Sequence, residues 1–162
     1  MNNIYIFGSD GQDGKISFNV LKQEYDESSF FLFSKNELII KKFNSLDKKI
    51  NFSSNFEYIN LISNLFKEYN PSVIFYFAAV HFSFEEKSLN NEKYKQEFTN
   101  YFLPIHILSE CSLLANKIKF LYASSSLIFS GSNIYPQDEI TKRSPTCDYS
   151  SQKVIAEKFL KN

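Results

Sequence analysis

Tyr149 and Lys153 stand four residues apart in the run Tyr149-Ser150-Ser151-Gln152-Lys153. On a helix that spacing sets both side chains on one face. A tyrosine hydroxyl with an ordinary pKa near 10 is a poor proton carrier at neutral pH. A neighbouring ammonium stabilises the phenolate, so the pair suits general acid–base work on an alcohol. Upstream, Ser124-Ser125-Ser126 follows an apolar run and offers hydroxyls to hold the same substrate oxygen. The spacing alone also describes a surface tyrosine beside a solvated lysine. What favours the chemical reading is a third feature, placed earlier in the chain.

That feature is Gly8-Ser9-Asp10-Gly11-Gln12-Asp13-Gly14, which holds three of the four glycines within seven residues. It follows the apolar run Asn3-Ile4-Tyr5-Ile6-Phe7 and precedes a helical pattern. At such a junction the first glycine permits a tight turn, the second lets backbone approach a pyrophosphate, and the third lets helix and strand pack closely. Helix N–H groups then receive the phosphates. Gly8, Gly11 and Gly14 are therefore the candidate pyrophosphate residues, with Gln12 and Asp13 opening the helix. The second strand ends Phe33-Ser34-Lys35-Asn36, without the carboxylate that would bond the ribose 2′-OH of NAD. Lys35 there favours NADP, with NAD as the alternative.

The elements that must position these residues can be read from periodicity. The spacing predicts strands over Asn3–Phe7, Ser29–Ser34, Val73–Phe77 and Ile118–Tyr122, and a further one at Ile50–Phe52. Helices are predicted over Asp13–Tyr25, with Ile16, Phe18, Val20, Leu21 and Tyr25 inward, and over Phe56–Tyr69, ended by Asn70-Pro71. Phe98–Ala115 reads as a largely apolar helix that Pro104 should kink or whose true start it should mark. Residues 131–148 form a polar loop, and a last helix starts near Asp148. Strands alternating with helices imply an α/β, doubly wound parallel sheet of Rossmann type. Residues 1–162 read as one dinucleotide-binding domain, with no repeat and no linker.

Composition excludes several other classes. Eighteen basic and eighteen acidic residues cancel, so no basic surplus invites nucleic acid. No targeting sequence and no stretch of membrane-spanning length is visible, so a cytoplasmic protein away from membranes is expected. Cys111 and Cys147 are too few for a disulfide framework, and His81 and His106 lack metal-ligand spacing, so no metal is expected. Cys111 reads as core and Cys147 as an incidental loop thiol.

The glycine spacing G-x-x-G-x-x-G resembles the extended short-chain dehydrogenase/reductase family, whose members modify nucleotide sugars. Gly11-Gln12-Asp13-Gly14 is similar to the GQDG of the GDP-mannose 4,6-dehydratases, and Tyr122-Ala123-Ser124-Ser125-Ser126 to the family's YASSS strand. Pro136-Gln137-Asp138-Glu139-Ile140-Thr141 resembles their PQxExT loop. Phe77-Ala78-Ala79 with His81 resembles their NLAAxSH segment, and Thr99-Asn100 sits where the family has its helix asparagine. Carried over, the resemblance implies pyrophosphate binding by Gly8, Gly11 and Gly14 and adenine contact by Asn55, where Asn55-Phe56 replaces an Asp-Leu pair. Ala78 and Ala79 would pack along the cofactor. Ser125, with Ser126 as the near alternative, would hold the substrate. Tyr149 would be the catalytic base, and Lys153 would lower its pKa and hold the nicotinamide ribose. A GDP-mannose-like nucleotide sugar, oxidised at C4 with NADP, and a homo-oligomer are also implied.

Two departures qualify this. The dehydratases place a glutamate, the base for the sugar C5 proton, where this chain has Leu127, and their next tyrosine-glycine is Phe129-Ser130. Oxidation at C4 does not need that glutamate, so a nucleotide-sugar epimerase or reductase stands beside the dehydratase. Family members are also about twice this length, two domains' worth, and their second half grips the nucleotide sugar. The chain is therefore expected to be the cofactor-binding half of such an enzyme, inactive alone, or a non-catalytic NADP-binding module.

Overall fold

Short runs of β-branched and aromatic residues cannot bury themselves except by pairing edge to edge. In the computed structural model they form one six-stranded sheet: β1 Asn3–Phe7, β2 Ser29–Phe33, β3 Glu37–Lys41, β4 Lys48–Asn51, β5 Val73–Tyr76 and β6 Lys119–Tyr122. The helices are α1 Gln12–Glu24, α2 Asn55–Glu68, α3 Asn90–Glu97, α4 Leu103–Ser112 and α5 Asp148–Leu160. The structure describes residues 2–25, 28–35, 37–42, 46–82, 90–115 and 117–161. Asn36 and most of the charged stretch before α3 lie outside the described residues.

Two compact units result, one of Met1–Ala78 with His106–Ala123 and one of Ala79–Ile105 with Ser124–Asn162. The first contains the whole sheet, in the order β4-β3-β2-β1-β5-β6. Strands β2, β1, β5 and β6 are parallel, and the chain leaves β1 for β2 on one side and later returns to β5 on the other. That reversal makes a switch point at the carboxyl ends of β1 and β5, the place where such sheets bind ligands. The fold is Rossmann-like, as the alternating pattern implied.

The sheet is nevertheless mixed, because β3 runs antiparallel to both of its neighbours, β2 and β4. Residues 34–36 alone join β2 to β3, whereas a parallel return needs a dozen residues or more. β4 forms one edge and carries Lys48 and Lys49, a pattern that discourages pairing with another chain.

The two sheet faces are packed differently. On one, Ile4, Ile6, Phe30 and Leu32 meet Phe18 and Leu21 of α1. Ile16, Val20 and Tyr25, expected inward, are about half exposed, at 55%, 50% and 43%. On the other face, rings on neighbouring strands pair in register. Tyr5 stacks on Phe31 at 4.3 Å, Phe7 on Phe33 at 4.4 Å and on Tyr76 at 5.6 Å, and Tyr76 on Tyr122 at 5.8 Å. Helix α2 closes over this rank with Tyr58, Ile62, Leu65 and Phe66. The Tyr5 hydroxyl reaches Tyr69 O at 2.7 Å, which satisfies it where burial raises its pKa.

The helix through Pro104 departs from expectation. It begins at Asn90, and residues Phe98–Phe102 widen into a π-helical turn in which Leu103 N–H reaches Phe98 O. Pro104 has no N–H for the carbonyl of Asn100 and its ring crowds that carbonyl, so the backbone widens just before it.

Because Phe7 is fully buried and stacks on two strands at once, Phe7→Ala should cost about 3–5 kcal/mol, measured as a fall in the urea midpoint at unchanged slope.

Candidate functional site

The glycine turn occupies the end of β1. Gly8 has φ +84°, a left-handed conformation that favours glycine, and a Cβ on it would lie 2.7 Å from Ala78 N. Its N–H and that of Ser9 both donate to Phe33 O at 2.9 Å, tying the turn to the end of β2. Gly14 is the tightest position: a Cβ there would sit 2.2 Å from Gly8 O and 2.7 Å from Ser9 Cα. Any larger residue would push α1 off the turn.

Gly11 differs from both. It is the N-cap of α1, with extended backbone at φ −72° and ψ 172°, and a Cβ would meet only Gly8 O, at 3.3 Å, among the described residues. The space beside it is open, and the N–H groups of Gln12, Asp13 and Gly14 begin the helix there. A backbone cradle with an open second glycine and unblocked helix donors fits a pyrophosphate. The exposed Asp13 side chain lies in the same first turn.

The remaining unit-one candidates fall at strand and helix ends. Lys35 is exposed in the turn between β2 and β3, where Ser34 N–H donates to Glu37 O. Asn55 opens α2 behind the N-cap Ser54, whose hydroxyl accepts from Glu57 N–H, and Phe56 beside it is 74% exposed. Ala78 follows β5 against Gly8. Ala79 belongs to the second unit and is exposed. Cys111 is a core thiol whose pKa burial pushes up to about 12.

The second unit gathers the proton chemistry. Helix α5 presents Tyr149 and Lys153 one turn apart, with the lysine Nζ 5.8 Å from the centre of the tyrosine ring. Lys153 is 1% exposed, and burial lowers its pKa from the ordinary 10.5 to about 8, while the Glu157 carboxylate opposes that fall. His81 meets the Tyr149 ring edge-on at 4.7 Å. Ser125 N-caps a 3₁₀ turn over Ser126–Phe129: its hydroxyl oxygen accepts from Leu127 N–H at 3.2 Å, leaving its own proton to donate. Ser126 is exposed in that turn. Cys147, read as incidental, is the exposed N-cap of α5, its Sγ 3.3 Å from Ser150 Oγ.

Several supporting residues escape sequence reasoning. Asn100 is fully buried in the π-helical turn. It accepts from Val80 N–H at 2.9 Å, donates to Val80 O at 2.8 Å and donates to Gln152 Oε1 at 2.9 Å. It thus fixes the backbone beside His81 to the helix that carries Tyr149. Glu157 accepts from Ser124 Oγ and from Arg143 Nε, and these residues border an open recess of about 490 Å³ together with Ser125 and Asp138. Only the resemblance pointed at Asn100. Arg143 and Glu157 gave no signal, since the side chains that they join lie 14 and 33 residues apart in sequence.

A family model described as GDP-mannose 4,6 dehydratase matches residues 5–162. The chain belongs to that family. It lies within the extended short-chain dehydrogenase/reductase group of epimerases and dehydratases. The Bordetella bronchiseptica enzyme WbmH in complex with NAD+ matches with a TM-score of 0.73 at 18% identity, over 99% of this chain and 52% of that one. UDP-glucose 4-epimerase from Brucella ovis in complex with NAD matches with a TM-score of 0.71 at 19% identity, over 99% and 47%. dTDP-glucose 4,6-dehydratase from Bacillus anthracis in complex with NAD matches with a TM-score of 0.68 at 19% identity, over 98% and 49%. The chain spans about half the length of these structures, and at such identities they establish its fold. No curated protein matches it in sequence. Among the described residues no helix is long and apolar enough to cross a membrane.

The two glycines make different predictions. Gly14→Ala should unfold at markedly lower temperature, because its Cβ meets backbone. Gly11→Ala, whose Cβ meets Gly8 O at 3.3 Å, should lower the melting temperature far less than Gly14→Ala while losing dinucleotide affinity about tenfold or more, read by fluorescence titration with NADPH.

Lys153 makes a pH-dependent one. Its folded pKa lies below the unfolded value, so the unfolded chain binds more protons between about pH 8 and 10.5, and stability rises with pH across that window. Lys153→Met should unfold at higher denaturant than wild type at pH 7, by about 2–3 kcal/mol, with the gap closing as pH approaches 10.

Proposed function

We propose that the chain is the cofactor-binding half of a nucleotide-sugar enzyme that begins with NADP-dependent oxidation at sugar C4, on a GDP-mannose-like substrate. The observation that carries this reading is the Tyr149–Lys153 pair, set on one face of α5 with the ammonium buried beside the ring. Gly8, Gly11 and Gly14 would take the pyrophosphate, with Gln12 and Asp13 at the helix start. Lys35 would meet a 2′-phosphate, Asn55 the adenine, and Ala78 and Ala79 the body of the dinucleotide. A bound nicotinamide supplies the hydride acceptor.

The chain's own residues handle the proton. Ser125 donates its free hydroxyl proton to the sugar O4, with Ser126 as the alternative donor. Tyr149 as phenolate takes the O4 proton while the C4–H electron pair departs as hydride, and a C4 ketone remains. Lys153, protonated below about pH 8, stabilises the phenolate before the transfer. The ordering of Ser125 by Leu127 N–H and of α5 by Asn100 supports this use of the site.

Leu127, 38% exposed where the dehydratases place their base, favours an epimerase or reductase over a dehydratase. The same residue supports a non-catalytic NADP-binding module as the second reading. The deciding experiment follows nicotinamide absorbance with GDP-mannose and the native-length protein. Tyr149→Phe should slow hydride transfer about 10²- to 10⁴-fold with NADPH affinity unchanged. Tight NADPH binding with no transfer in the wild type selects the module.

A further inference from the structure

Outside the proposed catalytic set, Arg143 and Glu157 join several segments of the second unit. The Arg143 guanidinium donates to Glu139 O at 2.8 Å, to Thr141 O at 3.1 Å and to Glu157 Oε2 at 3.3 Å, and lies over the Phe129 ring at 5.3 Å. One cation therefore gathers the 139–143 loop, the 3₁₀ turn after the serines and helix α5. Glu157 answers it: one carboxylate oxygen faces Arg143, the other accepts from Ser124 Oγ, and its side chain is 13% exposed. Two backbone bonds hold the same loop, Gly131 N–H to Ser144 O at 2.7 Å and Ser144 N–H to Ile128 O at 2.8 Å. The loop is thus fixed along its length, and its charged contact with α5 is Glu157.

Glu157 sits one helical turn beyond Lys153, so Tyr149, Lys153 and Glu157 follow each other down one side of α5. We propose that Glu157 is a positioning residue that couples the 139–143 loop and the serine segment to the Tyr149–Lys153 pair, its carboxylate being held between Arg143 and Ser124 one helical turn beyond the lysine. The inference rests on the proposed role of that pair and adds to it the means by which the loop acts on it.

Among the described residues, the titratable and charged groups on the elements packed about Lys153 include Tyr149 and Glu157 on α5, Tyr101 in the π-helical turn, His81 against Tyr149, and Arg143, which bonds Glu157. Burial disfavours the ammonium and Glu157 supports it. Arg143, bound to Glu157, draws on the same carboxylate. Removing Glu157 should therefore make Lys153 easier to deprotonate, and removing Arg143 should make it harder. A purely structural brace predicts something else, because breaking it from either end would loosen the same contacts and shift Lys153 in one direction.

The test is a pH titration of the ¹³Cε resonances of lysine in the native-length protein, with Lys153 assigned through Lys153→Arg. The wild-type midpoint is expected at about 8. Glu157→Gln should lower it by about half a unit or more, and Arg143→Met should raise it. Shifts of the same sign, or a shift in one variant only, overturn the proposal. Should Glu157→Gln fail to fold, Arg143→Met alone decides: an upward shift supports coupling, and no shift or a downward one refutes it. The titration needs no substrate, so it fails or succeeds separately from the Tyr149→Phe experiment. Where hydride transfer is present, its alkaline limb should move with the lysine midpoint in each variant.

Discussion

The cross-strand rank of aromatic rings is the constraint from which the first unit follows. Phe33, Phe7, Tyr76 and Tyr122 stand side by side at the carboxyl ends of four parallel strands, each opposite its register partner. A slip of one residue in any strand would turn its rings to the other face, where Ile4, Ile6, Phe30 and Leu32 already pack with α1. The rank therefore sets register more stringently than aliphatic residues of mixed shape would. The next residue after each ring is the consequence: Gly8, Ser34, Phe77 and Ala123 share one edge of the sheet. Gly8 must then accept Ala78 as a neighbour and Phe33 O as an acceptor, which only a residue without Cβ and with positive φ can do. The glycine turn is where the sheet's register meets the N-terminus of α1.

Burial of an ammonium is the corresponding constraint in the second unit. Lys153 is a long cation with 1% of its surface exposed, on a helix whose inner face otherwise holds Ser150, Gln152, Val154 and Ala156. Such a group is costly unless polar atoms surround it. Polar groups accompany it on the helix: the neighbouring Gln152 accepts from the buried Asn100, and Glu157 follows one turn later. A core built for stability alone would hold a methionine at this position. The cost is understandable where a cation is needed beside a tyrosine, which is why this burial weighs more heavily than sequence spacing in the functional reading.

How legible this was in the sequence varied with the range of the interactions. The four parallel strands and helices α1, α2 and α5 were visible because each is an uninterrupted local pattern, and the glycine turn because its residues are adjacent. The β3–β4 meander was harder, since Lys48-Lys49-Ile50-Asn51 has one apolar residue and its strand character comes from pairing with β3. The start of the long helix was missed because Asn90–Glu97 is almost wholly polar, and Pro104 suggested a break where the backbone instead widens. In the candidate site, Ser125, Tyr149 and Lys153 were readable from spacing and resemblance. Asn100, Arg143 and Glu157 each act on a side chain 14 to 52 residues distant, and no local pattern encodes such contacts.

Leu127 bears on which reaction the proposed site could complete. Removing a carbon-bound proton next to a C4 ketone calls for a carboxylate that is free to accept it and basic enough to do so. Among the acids bordering the nearby recess, Asp138 accepts from Thr141 N–H at 2.8 Å and from its hydroxyl at 2.6 Å, and these bonds hold its pKa below the ordinary value. Glu157 is held by Ser124 and Arg143. Both are engaged as structural acceptors, and for Asp138 those bonds make the carboxylate a weaker base than an unbonded one. Glu139, the third acid on that recess, is exposed, so a base there would have to come from Glu139 and not from the two bonded carboxylates. The serine, tyrosine and lysine keep every group that alcohol oxidation and its reversal require. Chemistry confined to removal and return of hydrogen at C4 is therefore what these side chains support best, and elimination would need a base from residues beyond them.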